Sequence, residues 1–478
     1  MVIFFSVLGI FFLFMSVLLI RAACFRPREQ SCETPEPFQI NHEQAVSALQ
    51  ALVCCKTVSC PDPALEDQEA FDALVELLPR IYPRVFHACD VLQFPERGLL
   101  LKWSGKASDS PSVFMAHYDV VPADEDQWDR PAFEGIIEDG VLWGRGTLDT
   151  KATVNGILSA AEHLITEGFL PEQDCYFAFS GSEEINGNGA KYIVDYFASQ
   201  GIQPALILDE GGAVVEKVFP GVVSACALVG IGEKGMMNVE YSVSSNGGHA
   251  SAPPADTPVS ILSRACLRVL NHPFKMRINE PAAQLFDTLG RHSTFLYKII
   301  FANLWCFRPV LDLICRRTGG ELNALVRTTT AFTQTEGSTA RNVLPTQAKM
   351  VSNMRLNPGD SIDDAMNRLS RVIGDKRVKL HLLEGFLPSP VSQTDCDSYR
   401  TIAHVIAQTW PGVIVSPYLM IQCADARHYG VLSDRVYRFS PMELTAEERK
   451  TIHGNNERIP LETIYKTVEF YIRLMKHC

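Results

Sequence analysis

CYFAFSGSEEINGNGAKYIVDYF, residues 175–197, decides the fold. The apolar run CYFAFSG reads as a buried strand. A pair of glutamates and a Gly-Asn-Gly turn follow it, and a helical pattern then spans 189–199. The same arrangement recurs in MAHYDVVPA (115–123), WGRGTLDTK (143–151), ILDEGG (207–212) and IHGNNE (452–457). Each string sets a histidine or a carboxylate at the point where a strand gives way to a loop. Open α/β sheets collect ligands beyond the carboxyl ends of their strands, so His117, Asp149, Glu184, Asp209 and His453 are the candidate metal ligands. Imidazole and carboxylate donors together suit zinc, with manganese or cobalt as substitutes.

Working outward, strand-like runs at 99–105, 112–118, 205–210 and 222–230 alternate with helical patterns at 151–167 and 189–199. Such alternation predicts a mostly parallel sheet covered by helices on both faces. After Gly235 the pattern changes to strand 236–245, helix 257–271, strands 324–334 and 347–356, helix 361–373 and strand 378–386, which is the ferredoxin-like order. The expected architecture is therefore α/β: a catalytic domain over 41–234 and 388–478, interrupted by an inserted ferredoxin-like α+β lid or dimerisation domain over 235–387. Helices at 42–53, 396–409 and 460–476 complete the first domain. The apolar, helical stretch 284–316 reads as extra core within the lid; its functional alternatives are a wall for a lipid-like acyl group or a surface that touches a membrane.

A chain of 478 residues is too long for one ordinary core. Its formal charge of −12, with no basic stripe, excludes nucleic acid as the main partner. The 14 cysteines match no cysteine-based zinc spacing, and several sit in apolar runs as buried thiols do. Met1 to Ile20 carries no charged side chain and is long enough to cross a bilayer as a helix. Arg21, Arg26 and Arg28 follow it, which orients the body of the protein toward the cytoplasm. Residues 1–21 are thus read as an anchor and 22–40 as a linker, the alternative being a cleaved signal segment and secretion.

The chemistry follows from the residue types. Asp119 lies two residues past His117, on the same side of an extended chain, where a carboxylate can orient an imidazole. Asp149 precedes a helix, where it can bridge two cations or cap the helix. Of the adjacent Glu183 and Glu184, one can bind a cation while the other moves a proton, since zinc lowers the pKa of a bound water to about 7. Asp209 closes a buried-type strand and needs a cation or donors; its neighbour Glu210 is an alternative ligand.

These strings resemble the aminoacylase, carboxypeptidase S and ArgE/DapE family of dinuclear zinc hydrolases, over roughly residues 40–478. EKG (233–235), GHASAPP (248–254), VRTTTA (326–331) and RNVLP (341–345) are most similar to its N-fatty-acyl-amino-acid synthase/hydrolase and carboxypeptidase S branch. The resemblance implies two zinc ions, with His117 and Asp209 on one, Glu184 and His453 on the other, and Asp149 bridging them through a segment with a cis peptide to Thr150. It implies Glu183 as general base and acid and Asp119 as a support of the ligand shell. It further implies that His249 steadies the oxyanion, often across a dimer interface, and that Asn342 and Arg355 meet the substrate carboxylate. Asp425 is a further substrate contact in a string, Cys423 to Arg427, that departs from the family by carrying Ala424 in place of threonine. The implied activity is hydrolysis of the amide of N-acyl amino acids, reversible in principle, or of C-terminal peptide bonds, on substrates with a free carboxylate. An exopeptidase or dipeptidase using the same site is the alternative. A catalytically dead scaffold would have lost a ligand or the base, and none is missing. A homodimer through the lid is the expected assembly.

Overall fold

The computed structural model describes residues 1–28 and 39–478. Most of the predicted linker therefore lies outside the described residues, and its first part is helical: one helix runs from Val2 to Cys24. Apart from Leu18 and Ala22, its residues are largely exposed, and it is the one described helix long and apolar enough to cross a membrane.

An eight-stranded sheet forms the centre of the molecule. Its order is Cys89–Phe94, Gly98–Trp103, Gln173–Ser180, Ala107–His117, Leu206–Val215, Val436–Leu444, Cys226–Glu233, Ile414–Met420. Ala107–His117 runs parallel to both Gln173–Ser180 and Leu206–Val215, which in turn runs parallel to Val436–Leu444. The first two strands form an antiparallel edge. The parallel strands are near-continuous apolar runs, as burial on both faces requires. Lys151–Thr166 and Leu461–Met475 pack together on one face, with Leu158, Leu164, Val468 and Ile472 fully buried. Gly189–Gln200 covers the other face, with Ile193 and Phe197 in a separate buried cluster.

Two strands escape the sequence pattern for a physical reason. Ile414–Met420 contains Pro417 and Val436–Leu444 contains Pro441. Proline removes a ladder donor and argues against a strand, except at an edge or a bulge. Here Ile414–Met420 is the edge strand, and the pairing of Val436–Leu444 shifts register between Phe439 and Glu443, around Pro441.

A second, four-stranded antiparallel sheet has the order Thr329–Glu336, Gln347–Leu356, Gly235–Ser244, Lys379–Phe386. Pro258–Asn271 and Ile362–Ile373 cover one face and close a core of its own around Met237, Tyr241, Leu262 and Leu369. This is the ferredoxin-like arrangement. The predicted strand 324–334 divides: Gly320–Val326 is helical and the strand begins at Thr329.

The apolar stretch 284–316 does not build the core of this second sheet. It forms Glu280–His292, Phe295–Phe301 and Leu304–Thr318. Leu285, Phe286, Leu289, Phe301 and Leu311 join the core of the large sheet, and Glu280–His292 packs on Ile414–Met420. Its outer side meets the Val2–Cys24 helix.

Candidate active site

The parallel strands deliver their last residues to one edge. His117 is the final residue of its strand, and the Glu183–Ile185 turn follows Gln173–Ser180 in the neighbouring one. Asp149 stands one residue before the Lys151–Thr166 helix, whose N-cap is Thr150, and its peptide bond to Thr150 is cis. His453 stands in a loop beyond Val436–Leu444 with φ of +57°.

Their side chains converge. His117 Nε2 lies 3.1 Å from Asp149 Oδ1 and 3.4 Å from Glu210 Oε1. His453 Nε2 lies 3.1 Å from both Asp149 Oδ2 and Glu184 Oε2. Asp149 therefore directs one oxygen to each imidazole and stands between two halves of the site. Two overlapping sets have donor atoms within 4.8 Å of one another: His117, Asp149 and Glu184, and His117, Glu183 and Glu210.

Asp209 is a different matter. Its carboxylate accepts the N–H of Ala426 at 2.7 Å and that of Glu210 at 2.9 Å, and it is absent from both donor sets. Successive residues of a strand point to opposite sides, so only one of the Asp-Glu pair can face the cluster, and here it is Glu210. The strand's register against Val436–Leu444 also shifts between Asp209 and Gly212. At Gly212 a Cβ would stand 1.7 Å from the Leu228 carbonyl oxygen, so only glycine fits this bend. Alternation alone leaves both acids open; the donors waiting at Ala426 decide between them.

Asp119 organises the centre from below. It is fully buried, and its two oxygens accept the N–H groups of Glu183 and Glu184, each at 3.1 Å. Its carbonyl and carboxylate lie 2.9 and 3.3 Å from His117 Nδ1. That contact fixes the ring so that Nε2 faces Asp149 and Glu210. Glu457, also fully buried, was not singled out by its sequence context. Its Oε1 accepts the N–H groups of Leu148 and Asp149 at 2.7 and 3.2 Å, and its Oε2 pairs with buried Arg145 Nη1 at 2.6 Å. Arg145 also donates to the Gly454 carbonyl, beside His453, at 2.8 Å. The pair thus ties the Asp149 turn to the His453 loop across more than three hundred residues of sequence.

The electrostatics report an excess of negative charge. Burial, with Asp425, Glu210 and Glu184 nearby, raises the Glu183 carboxyl well above its ordinary range. Burial likewise raises Glu184, Glu210 and Asp425, and pushes Asp209 up to about 8. His453 is pushed up to about 10, chiefly by its contacts with Asp149 and Glu184. For His117, burial works the other way, yet Glu210, Asp119 and Asp149 together raise it well above the usual range. Glu184 Oε1 is buried without a protein hydrogen-bond partner. Carboxylates that press on one another, two imidazoles and an unpaired buried oxygen form a donor set that fits divalent cations.

A cleft of about 600 Å³ opens from the cluster. Asp149, Glu183, Glu184, Glu210 and His453 are in its lining. Val215, Leu228, Met420, Met442 and Leu444 add an apolar trough to the same cleft, and Glu321, Arg449 and Lys450 add charge. None of the apolar stretch 284–316 lines it. Arg355 approaches through Cys423, a lining residue, whose sulfur accepts its Nη1 at 2.9 Å. Asp425 is buried, 3.9 Å from Arg427 and outside the lining. Arg427 itself comes within 4.0 Å of Glu183 Oε1. His249 and Asn342 stand apart, on an exposed arm in which Gly248–His249 pairs with Val343–Leu344. The Asn342 carbonyl there accepts the Ala250 N–H at 3.0 Å, and neither side chain lines the cleft.

Fold and site together define a metal-dependent hydrolase. The chain belongs to peptidase family M20/M25/M40, whose profile matches residues 113–477. It is 37% identical over 408 residues to the probable carboxypeptidase S-like 2 of Dictyostelium discoideum, covering 84% of this chain and 78% of that one. It is 36% identical over 441 residues to the N-fatty-acyl-amino acid synthase/hydrolase PM20D1 of Xenopus tropicalis, covering 91% and 86%. Among solved structures, the M20 family metallo-carboxypeptidase Sso-CP2 from Sulfolobus solfataricus shares the fold with a TM-score of 0.67 at 16% identity, covering 90% of this chain and 98% of that one.

Proposed function

We propose that this hydrolase acts on the amide bond of N-acyl amino acids carrying a long apolar acyl chain. The observation that carries the reading is the continuity of the cleft, which joins the carboxylate–imidazole cluster to the trough of Val215, Leu228, Met420, Met442 and Leu444. An acyl chain laid there removes apolar surface from water, worth about 0.8 kcal/mol per methylene. Arg449 and Lys450 in the lining suit the free carboxylate of the amino acid.

We assign two zinc ions to the cluster. His117 and Glu210 would hold one, Glu184 and His453 the other, and Asp149 would bridge them. When bound, such ions supply Lewis acidity that polarises the amide carbonyl and acidifies water. Glu183, close to His117 and Glu210 but paired with neither imidazole, takes the proton of the attacking water and returns it to the leaving nitrogen. Asp119 holds His117 in one tautomer and fixes the Glu183 backbone. The same residues in reverse order serve condensation, so synthesis is expected at high reactant concentrations. His249, exposed and outside its own cleft, would steady the oxyanion in a second copy's site, which makes a homodimer the working assembly. The Val2–Cys24 helix would act as a membrane anchor.

A substrate series tests this reading: N-acetyl, N-octanoyl and N-oleoyl forms of one amino acid, with turnover and metal content measured on the same sample. The reading expects kcat/KM to rise with chain length. Faster turnover of the acetyl form would defeat it. A C-terminal exopeptidase, which the carboxypeptidase-like relatives favour, would instead prefer unblocked peptides in the same panel.

A further inference from the structure

Phe295–Phe301 packs against the Val2–Cys24 helix and Leu304–Thr318 meets it through Trp305, while Phe301, Leu311 and Cys315 turn inward to the core of the body. Arg21 donates from Nε and Nη2 to the Ala302 carbonyl at 3.2 and 3.0 Å. Buried Asn303 donates to the Leu18 carbonyl at 3.1 Å. The rings of Phe14 and Trp305 meet edge to face, with centroids 6.0 Å apart. These contacts climb the long helix from Arg21 to Phe14, a rise of about 10 Å at 1.5 Å per residue.

The outward side of the pair exposes large apolar residues alongside arginines. Leu296 is 70% exposed, Trp305 58%, Phe295 53%, Val310 50% and Leu313 49%. A helix on the surface of a soluble body turns polar residues outward, whereas here the inner positions Leu311 and Cys315 and the outer positions Val310, Leu313 and Ile314 are all apolar or thiol. Arg308, Arg316 and Arg317 lie in the same helix, and Arg26 and Arg28 just past the long one. Exposed apolar residues with cations in the same helix and an exposed tryptophan are the composition of a helix lying in a bilayer interface.

We propose that Phe295–Phe301 and Leu304–Thr318 form a membrane-seated platform that enters the same leaflet as the N-terminal helix and fixes the hydrolase against a lipid bilayer. The occupant is set by continuity: a face that shares Phe14 with a helix apolar enough to span a membrane must meet the hydrocarbon that Phe14 meets. The proposal rests on the anchor reading above. The chain breaks at Gly319 and resumes as the helix Gly320–Val326, whose Glu321 lines the cleft, so the platform sets the cleft's orientation to the lipid from which a long-chain substrate would come.

Trp305 is the probe. Of the five tryptophans, Trp103, Trp128 and Trp410 are buried and Trp143 is half-buried. Full-length protein is reconstituted in phosphatidylcholine vesicles brominated near the headgroup end or near the methyl end of the acyl chains. The expected result is quenching of tryptophan emission, stronger for the shallow bromines, that disappears in Trp305→Phe and is at least halved in the double variant Leu313→Glu, Ile314→Glu. Emission equal in brominated and plain vesicles would overturn the proposal. So would quenching that survives Trp305→Phe, or a second copy of the chain shielding Trp305 from lipid. An alkaline wash of the same vesicles reports the anchor separately: release of the protein defeats the anchor reading, while loss of Trp305 quenching with the protein retained defeats only the platform.

Discussion

Replacing Glu183 by glutamine separates the proton carrier from the metal ligands. Glu183 lies within 4.8 Å of donor atoms of His117 and Glu210, yet no ligand contact depends on it. Glutamine has the same shape and cannot accept the proton of the attacking water. General acid–base catalysis contributes about 10²–10⁴-fold, equivalent to roughly 3–5 kcal/mol of barrier at about 1.4 kcal/mol per tenfold. In Glu183→Gln, kcat should therefore fall by about a hundredfold or more, with KM little changed and two metals still bound per chain. The metal-free protein should respond in the opposite direction. Two carboxylates at that spacing repel by about 3 kcal/mol at an effective dielectric of 20. Burial and the neighbouring acids already raise the Glu183 carboxyl, so only part of that repulsion is expected as added stability, seen as a higher midpoint in denaturant. Turnover and metal content are read on one preparation and unfolding on its chelated half. Turnover within tenfold of the wild type, with both metals retained, would refute Glu183 as the base. An apo variant less stable than wild type would refute the charge-crowding argument.

Three further outcomes follow from the same geometry. Glu210→Gln should lose about half of the bound metal, whereas Asp209→Asn should keep the metal but lose about 1–3 kcal/mol of stability, because its amide would face the donors at Ala426 and Glu210; the reverse pattern in metal analysis would restore Asp209 as the ligand. Glu457→Gln leaves a single oxygen to serve both the buried charge of Arg145 and the Asp149 turn and should cost about 3–5 kcal/mol in unfolding experiments, with turnover falling because one of the two loses its acceptor; full stability would contradict the role of the pair. Lys234 is fully buried, its Nζ donating to the carbonyls of Ala324 and Arg327, and burial lowers it to about 7. Between that value and the unfolded value near 10.5 the unfolded chain holds the extra proton, so stability rises as pH rises from 7 toward 10; Lys234→Met should flatten that slope, and an unchanged slope would assign it to other groups.

Much of this was legible in the chain because the signal is local. A strand that ends in an acid or a histidine is written in consecutive residues, as at MAHYD and SGSEE, and the ferredoxin-like order is written in the succession of periods. What escaped the sequence depends on partners far away. Asp209 and Glu210 are adjacent and alike, and only the N–H of Ala426, two hundred residues on, tells them apart. Glu457 reads as one more loop acid until Arg145 is placed against it. The prolines of Ile414–Met420 and Val436–Leu444 speak against strands until an edge position and a register shift accommodate them. The stretch 284–316 carries enough apolar residues for a core, but composition does not say which core, and it joined the large sheet's and the N-terminal helix's surfaces.

The central claim is that two cations flank Asp149, and anomalous diffraction from zinc-loaded crystals at the zinc edge tests it most directly. The account predicts two peaks, one between His117 and Glu210 and one between Glu184 and His453, with an oxygen of Asp149 on each. A single peak, or a pair with Asp209 as a ligand and Glu210 turned away, would contradict it.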